Sequence, residues 1–196
     1  MKKLFFVLLA SAGISSAAHA QGARLGLKIG TSLSNFVGED ADGASNKFGI
    51  NGGFVAELGI TDNFAIQPEV IFSMKGAKID EFDARYNQNY VDVPVLLKIK
   101  ANGLFFQAGP QVGLLIDSKV KNDAVTVNSA GVFKTIDFGY VAGLGYELSS
   151  GPMIGLRYNG GISKVYKKED QMRASDLPEV RNSAFQLYVG FMFGGK

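Results

Sequence analysis

The chain has 196 residues, with 20 Lys+Arg against 18 Asp+Glu, one histidine, and neither cysteine nor tryptophan. A formal net charge of +2 is too small for the basic surface that a nucleic-acid binder needs. The lack of cysteine excludes disulfides and thiolate metal sites.

In chain order the first element is a leader. Met1-Lys2-Lys3 is basic, Leu4 to Ala12 is apolar, and Ala18-His19-Ala20 is an A-x-A cleavage site. This order predicts a secretory signal peptide over 1–20, cut before Gln21, and a single β-barrel domain over 21–196. Removing it takes away His19, Lys2 and Lys3. The mature chain is then left with 18 basic and 18 acidic side chains and no histidine. Beyond the leader no apolar run reaches the ~18 residues of a transmembrane helix.

After the leader the chain alternates, apolar against polar or glycine, in eight segments. Period two means strands with two unlike faces. The predicted strands are Arg24 to Phe36, Lys47 to Ile60, Phe64 to Ala77 and Tyr90 to Lys100. Leu104 to Ile116, Thr135 to Leu148, Met153 to Tyr166 and Ser183 to Phe193 complete the set. Three connections are tight: Thr61-Asp62-Asn63, Asn102-Gly103 and Ser149-Ser150-Gly151-Pro152. Asn-Gly is the strongest hairpin signal, because both residues tolerate positive φ. Four connections are long and polar: Val37 to Asn46, Lys78 to Asn89, Asp117 to Lys134 and Lys167 to Asn182. Short turns alternating with long loops, and strands of at least the ~9–11 residues a tilted crossing needs, predict an all-β fold. It is an eight-stranded antiparallel up-and-down transmembrane β-barrel in the bacterial outer membrane, with both termini periplasmic.

Parity sorts the faces. One carries Leu25, Leu27, Ile29, Phe54, Ile66, Phe72, Val93, Val95, Leu97, Phe106, Leu144, Leu156, Leu187 and Phe191, almost without charge. The other carries the glycines and ten charged groups: Lys28, Glu57, Glu69, Lys75, Asp92, Lys98, Lys100, Asp137, Glu147 and Arg157. Glycines leave room for long polar side chains inside a narrow barrel, so the charged face is assigned to the lumen and the apolar face to lipid. Phe36, Phe48, Phe64, Tyr90, Tyr146 and Phe193, near strand ends, are expected to form interfacial girdles. The alternative, a soluble calycin-like barrel with an apolar pocket, would expose the charge-and-glycine face to water instead.

The ten lumen charges are five of each sign. Unpaired buried charge is costly, and an eight-stranded barrel is just wide enough to be filled by its own side chains. The expectation is a structural plug of paired charges; an ion path along the same groups is the alternative. Catalysis is not expected, because the mature chain has no histidine to act as general base. Glu39-Asp40-Ala41-Asp42 lacks the spacing of a calcium loop, and Lys167-Lys168-Glu169-Asp170 reads as a solvated charge run. No catalytic residue, metal or cofactor is assigned.

Several segments carry a family pattern. They are Ile29-Gly30 with Leu33-Ser34-Asn35-Phe36; Phe64-Ala65-Ile66-Gln67-Pro68-Glu69-Val70 with Lys75-Gly76-Ala77; and Val91-Asp92-Val93-Pro94-Val95-Leu96-Leu97-Lys98. Phe106-Gln107-Ala108-Gly109-Pro110-Gln111-Val112-Gly113, Gly143-Leu144-Gly145-Tyr146-Glu147-Leu148 and Arg157-Tyr158-Asn159 come next. In this order they resemble the PorT-like family of outer-membrane β-barrel proteins of Bacteroidetes-type bacteria, across essentially the whole mature chain. The resemblance implies an eight-stranded outer-membrane barrel without catalytic residues. The expected function is a non-enzymatic structural or surface-interaction role. Its partners would be outer-membrane lipid, lipopolysaccharide and a protein at the extracellular loops. A small pore, or an accessory of a secretion apparatus, is the alternative.

Overall fold

A computed structural model describes residues 23–79, 84–122, 126–129, 131–167 and 179–194. The predicted signal peptide, and Lys168-Glu169-Asp170 of the fourth-loop charge run, lie outside them. The strands are β1 (Ala23–Val37), β2 (Ala44–Ser45), β3 (Lys47–Gly59), β4 (Phe64–Lys75), β5 (Lys78–Ile79), β6 (Ala84–Ala101), β7 (Leu104–Lys121), β8 (Thr126–Asn128), β9 (Ile136–Glu147), β10 (Pro152–Gly161) and β11 (Arg181–Phe193). Eight of them close on themselves in the order β6-β4-β3-β1-β11-β10-β9-β7, with β7 pairing back to β6. Every pairing is antiparallel. The fold is the eight-stranded up-and-down barrel.

The three tight turns stand where expected. Asn102 (φ 50°) and Gly103 (φ 89°) are both left-handed, the pair of conformations a two-residue hairpin turn requires. A Cβ at Gly103 would lie 2.7 Å from the Tyr146 ring, so space as well as φ favours glycine there.

The long loops contain more structure than their polarity suggests. The β6–β7 hairpin continues well past Tyr90 and Ile116, into segments expected to be loop, and is flanked by the short strands β5 and β8. A bulge sets the transition. Asn89 faces Asp117 while Tyr90 faces Leu115, which leaves Ile116 as the extra residue. Strand β10 is shorter than expected and ends at Gly161. There the N–H groups of Ile162 and Ser163 both turn to the Phe138 carbonyl.

Parity is obeyed along the wall. Ile29, Phe54, Phe106, Phe138, Leu156 and Leu187 stand exposed on the outside, and Lys28, Glu69, Lys98 and Arg157 are buried inside. Two of the expected girdle aromatics break from the prediction. Phe36 and Tyr90 are buried in the lumen. Phe36 shares parity with Ser32 and Ser34, and Tyr90 with Asp92 and Lys98, so alternation outweighs their place at strand ends. Phe48, Phe64, Tyr146 and Phe193 are exposed on the outer face.

Candidate functional site

The lumen is layered along the barrel axis. At the short-turn end, Arg24 on β1 faces Glu57 on β3 in the register. Glu57 accepts from Lys98 Nζ at 2.7 Å, Lys100 Nζ at 2.9 Å and Arg24 Nη1 at 3.4 Å. Glu147 accepts from Arg24 Nη1 and Lys98 Nζ, each at 2.6 Å. Two carboxylates therefore hold three cations, and Lys98 also lies 4.5 Å from the centre of the Phe105 ring.

One layer up, Glu69 takes Lys28 Nζ at 2.6 Å on one oxygen and Arg157 Nη1 at 2.7 Å on the other. Gln67 Nε2 donates to the first oxygen at 2.6 Å, and Arg157 Nε donates to Gln186 at 2.6 Å. Lys28 and Arg157 both lie against the Tyr188 ring. Its hydroxyl accepts from Gln107 Nε2 at 3.1 Å, and Gln107 accepts in turn from Gln67. Gln67 and Gln186 in this layer, and Lys98 just below it, have at most 1% exposure.

Glycines make these layers possible. Phe105, Gly145, Gly155 and Tyr188 are direct partners in one row across β7, β9, β10 and β11. A Cβ at Gly155 would lie 2.4 Å from the Tyr188 ring, and one at Gly145 would lie 2.4 Å from Phe105. The tips of both rings reach over bare glycine backbone, and the cations pack against the rings.

Toward the long loops the lumen is polar but less tightly paired. Lys75 Nζ binds Asp92 at 2.8 Å. Asp137 has no ion pair among the described residues. It accepts from Ser163 Oγ at 2.6 Å and Asn182 Nδ2 at 3.0 Å, and Asn182 also reaches the Tyr90 hydroxyl. Asn51 Nδ2, Ser73 Oγ, both ends of the Gln88 amide and Asp92 Oδ2 have no hydrogen-bond partner among the described residues.

Above this level the lumen ends in an apolar cap. Phe36, Ala77, Tyr90, Leu115, Phe133, Val165 and Val180 pack together, with Tyr86 and Tyr166 against them. The rings touch in sequence: Phe36 to Tyr86 at 5.8 Å, Tyr86 to Phe133 at 6.2 Å, Phe133 to Tyr166 at 5.2 Å. All four long connections contribute, the first through half-buried Ala41 and Ala44 packed against the cluster. Reading those loops as merely polar missed the cap; the available signal was Phe133 and Val180 inside otherwise polar stretches, with Val165 near the end of the predicted strand Met153 to Tyr166.

Nine of the ten predicted lumen charges therefore meet an opposite charge, and Asp137 meets neutral donors. Two inward cations were not anticipated. Arg24 joins the lowest layer, and buried Lys47 donates to the Lys75 carbonyl at 3.3 Å. The inward charges thus number seven cations to five carboxylates among the described residues. In the first loop Asp40 accepts from the Glu179 N–H at 2.7 Å, a link between loops. No group of three or more acidic or histidine side chains among the described residues could hold a metal.

A closed eight-stranded barrel with an apolar outer wall and a charged interior is the geometry of an outer-membrane protein, and the sequence matches that family. The model for the outer membrane protein beta-barrel domain covers residues 16–167. The chain belongs to this family. Among solved structures it is similar to Neisserial surface protein A, at 15% identity over 88% of this chain and 100% of that one, with a TM-score of 0.58. It is also similar to Ail, the attachment invasion locus protein of Yersinia pestis, at 16% identity, the same coverage and a TM-score of 0.50. That structure of Ail holds the heparin analogue sucrose octasulfate. At such identities the likeness shows the fold. No curated protein matches the sequence.

Proposed function

We propose that this outer-membrane barrel is a non-enzymatic structural and surface-interaction protein whose lumen is closed. The observation that carries the reading is the stacked plug. Two ion-pair layers fill the lower lumen, and an apolar cap drawn from all four long loops closes the other end. Interior groups occupied with each other are not available to a solute, whereas the loop surface is. In this reading residues 1–20 are removed on export, both termini face the periplasm and the long loops face outward. The ordered motifs from Ile29 to Asn159 support a place among the PorT-like barrels.

Planar-bilayer recording tests the closed lumen. Purified protein is expected to give no steps above the bare-bilayer baseline; stable open events would overturn it. The runner-up is a narrow pore, favoured by one observation: the unpaired Asn51, Ser73, Gln88 and Asp92 atoms form a hydrophilic upper lining. An accessory role in secretion is a third reading, resting on the family resemblance. Normal secretion after deletion of the gene would remove it.

A further inference from the structure

We propose that the outer face of the β5–β6–β7 sheet, above the membrane, binds the phosphorylated sugars of lipopolysaccharide in the surrounding leaflet. The proposal rests on the reading that the long loops face outward. The register sets the geometry. Lys78 on β5 is the direct partner of Arg85 on β6, and Arg85 is the direct partner of Lys121 on β7. Three cations thus stand side by side across three adjacent strands, on one face. Lys119 lies two residues below Lys121 on that face, with Asp117 at 3.3 Å as its counter-charge. Like charges directly opposite each other weaken a sheet. No ion pair to Lys78, Arg85 or Lys121 from the described residues offsets the repulsion, whereas an anion laid along the row would.

Direction decides which anion. Above the Ile116 bulge the outer face of β6 and β7 carries Asn89, Asn87 and Arg85 beside Asp117, Lys119 and Lys121; below it the same wall carries Val91, Val93, Leu114 and Val112. The cationic face is therefore the upward continuation of the lipid-facing wall and looks sideways, toward neighbouring lipids, rather than up from the barrel mouth. The opposite face of the hairpin is occupied, since Tyr86 packs in the cap and Ser118 binds Ser129. Arg85 lies about 20 Å along the strand beyond Val91 at ~3.4 Å per residue. With a tilt near 40° that is roughly 15 Å above the apolar edge. Ordinary headgroups add only about 6 Å per side to the hydrocarbon core. The row therefore stands at the height of sugars attached to the lipid, where lipopolysaccharide carries phosphates. Half-buried Asn87 and exposed Thr126 supply hydrogen bonds suited to sugar hydroxyls. The connection from β5 to β6 contains Asp80, Glu81 and Asp83, so neutralisation of the row by its own chain is the competing outcome.

The full barrel, as wild type, as Lys78→Gln/Arg85→Gln/Lys121→Gln and as Lys167→Gln, would be titrated in detergent micelles with rough-type lipopolysaccharide. Binding would be read by native mass spectrometry. Loss of three charge pairs predicts about tenfold weaker binding for the triple variant and for dephosphorylated lipopolysaccharide, with Lys167→Gln unchanged. Heat-dependent electrophoretic mobility would confirm that each variant is folded. Equal binding by wild type and triple variant overturns the proposal. So does binding of sucrose octasulfate but not lipopolysaccharide at the row, which would point to a soluble sulfated glycan. Orientation is read separately: the chain has no cysteine, so Asn87→Cys supplies a single site for an impermeant maleimide on whole cells. Failure to label would reject the outward loops without bearing on the row's affinity.

Discussion

Glu69 is the residue on which the middle of the barrel depends. It is the only carboxylate among the described residues within ion-pair distance of either Lys28 or Arg157, and all three are buried. Glu69→Gln leaves two buried cations without a counter-charge, and a loss of about 3–5 kcal/mol is expected. Urea unfolding in lipid vesicles, followed by electrophoretic mobility, would measure it. Lys100→Gln is the contrast. Its side chain is 27% exposed, and Glu57 keeps Lys98 and Arg24; the expected change is below about 1 kcal/mol in the same assay. At Gly155 the constraint is space. Gly155→Val would drive the Tyr188 ring off its seat and is expected to destabilise by about 1–3 kcal/mol or more. The lumen charges were legible because parity is a strict rule in a strand. Their partners were not, since pairing across the lumen depends on barrel closure and strand stagger, which no single segment encodes. The separation in sequence between Arg157 and Glu69, and between Lys98 and Glu57, spans several strands.

At the scale of elements, the walls and the loops differ in how far the sequence discloses them. Strands β1, β4 and β11 lie close to their predicted bounds, because alternation and turn chemistry agree there. The β6–β7 hairpin runs further because its upper part faces water on one side and the cap on the other. Polar outer residues such as Arg85, Asn87 and Lys119 therefore read as loop. Pro68 and Pro94 interrupt the ladders of β4 and β6 without shifting their register, as expected of residues that lack an N–H. The cap is the element whose removal should show most clearly. Phe133 is 1% exposed and packs on both Tyr86 and Tyr166. Phe133→Ala is expected to lose about 3–5 kcal/mol of packing locally. Added protease should then cut the long loops of bilayer-embedded protein faster, with the transmembrane strands still protected.

As a whole molecule, the barrel answers nine of its predicted interior charges with its own side chains, while Asn51, Ser73, Gln88 and Asp92 keep unpaired atoms higher in the lumen. The ion pairs around Glu69 and between Lys98 and Glu57 are buried, in contrast with the surface pair Lys119–Asp117; in the closed-lumen reading counter-ions do not reach them. Raising salt from about 0.1 M to about 1 M should therefore leave the unfolding midpoint in urea nearly constant, since screening acts mainly on exposed charges. A marked fall in the midpoint would mean that water and salt reach the lumen, and would favour the pore. The two inward cations beyond the predicted ten give such a pore a sign: if an open state exists, it should pass anions in preference to cations, measurable as the reversal potential across a salt gradient.

The apolar cap has a further consequence, for how the surface of this protein can change. Each of the four long connections places at least one side chain in or against a single shared cluster, so no one of them packs independently of the other three. A graft that replaces one connection with that of another barrel would disturb the remaining three. Substitutions confined to the outward-pointing positions between the anchor residues would not. Change in these loops is thereby easiest as point substitutions around fixed anchors, and wholesale exchange of a loop is disfavoured.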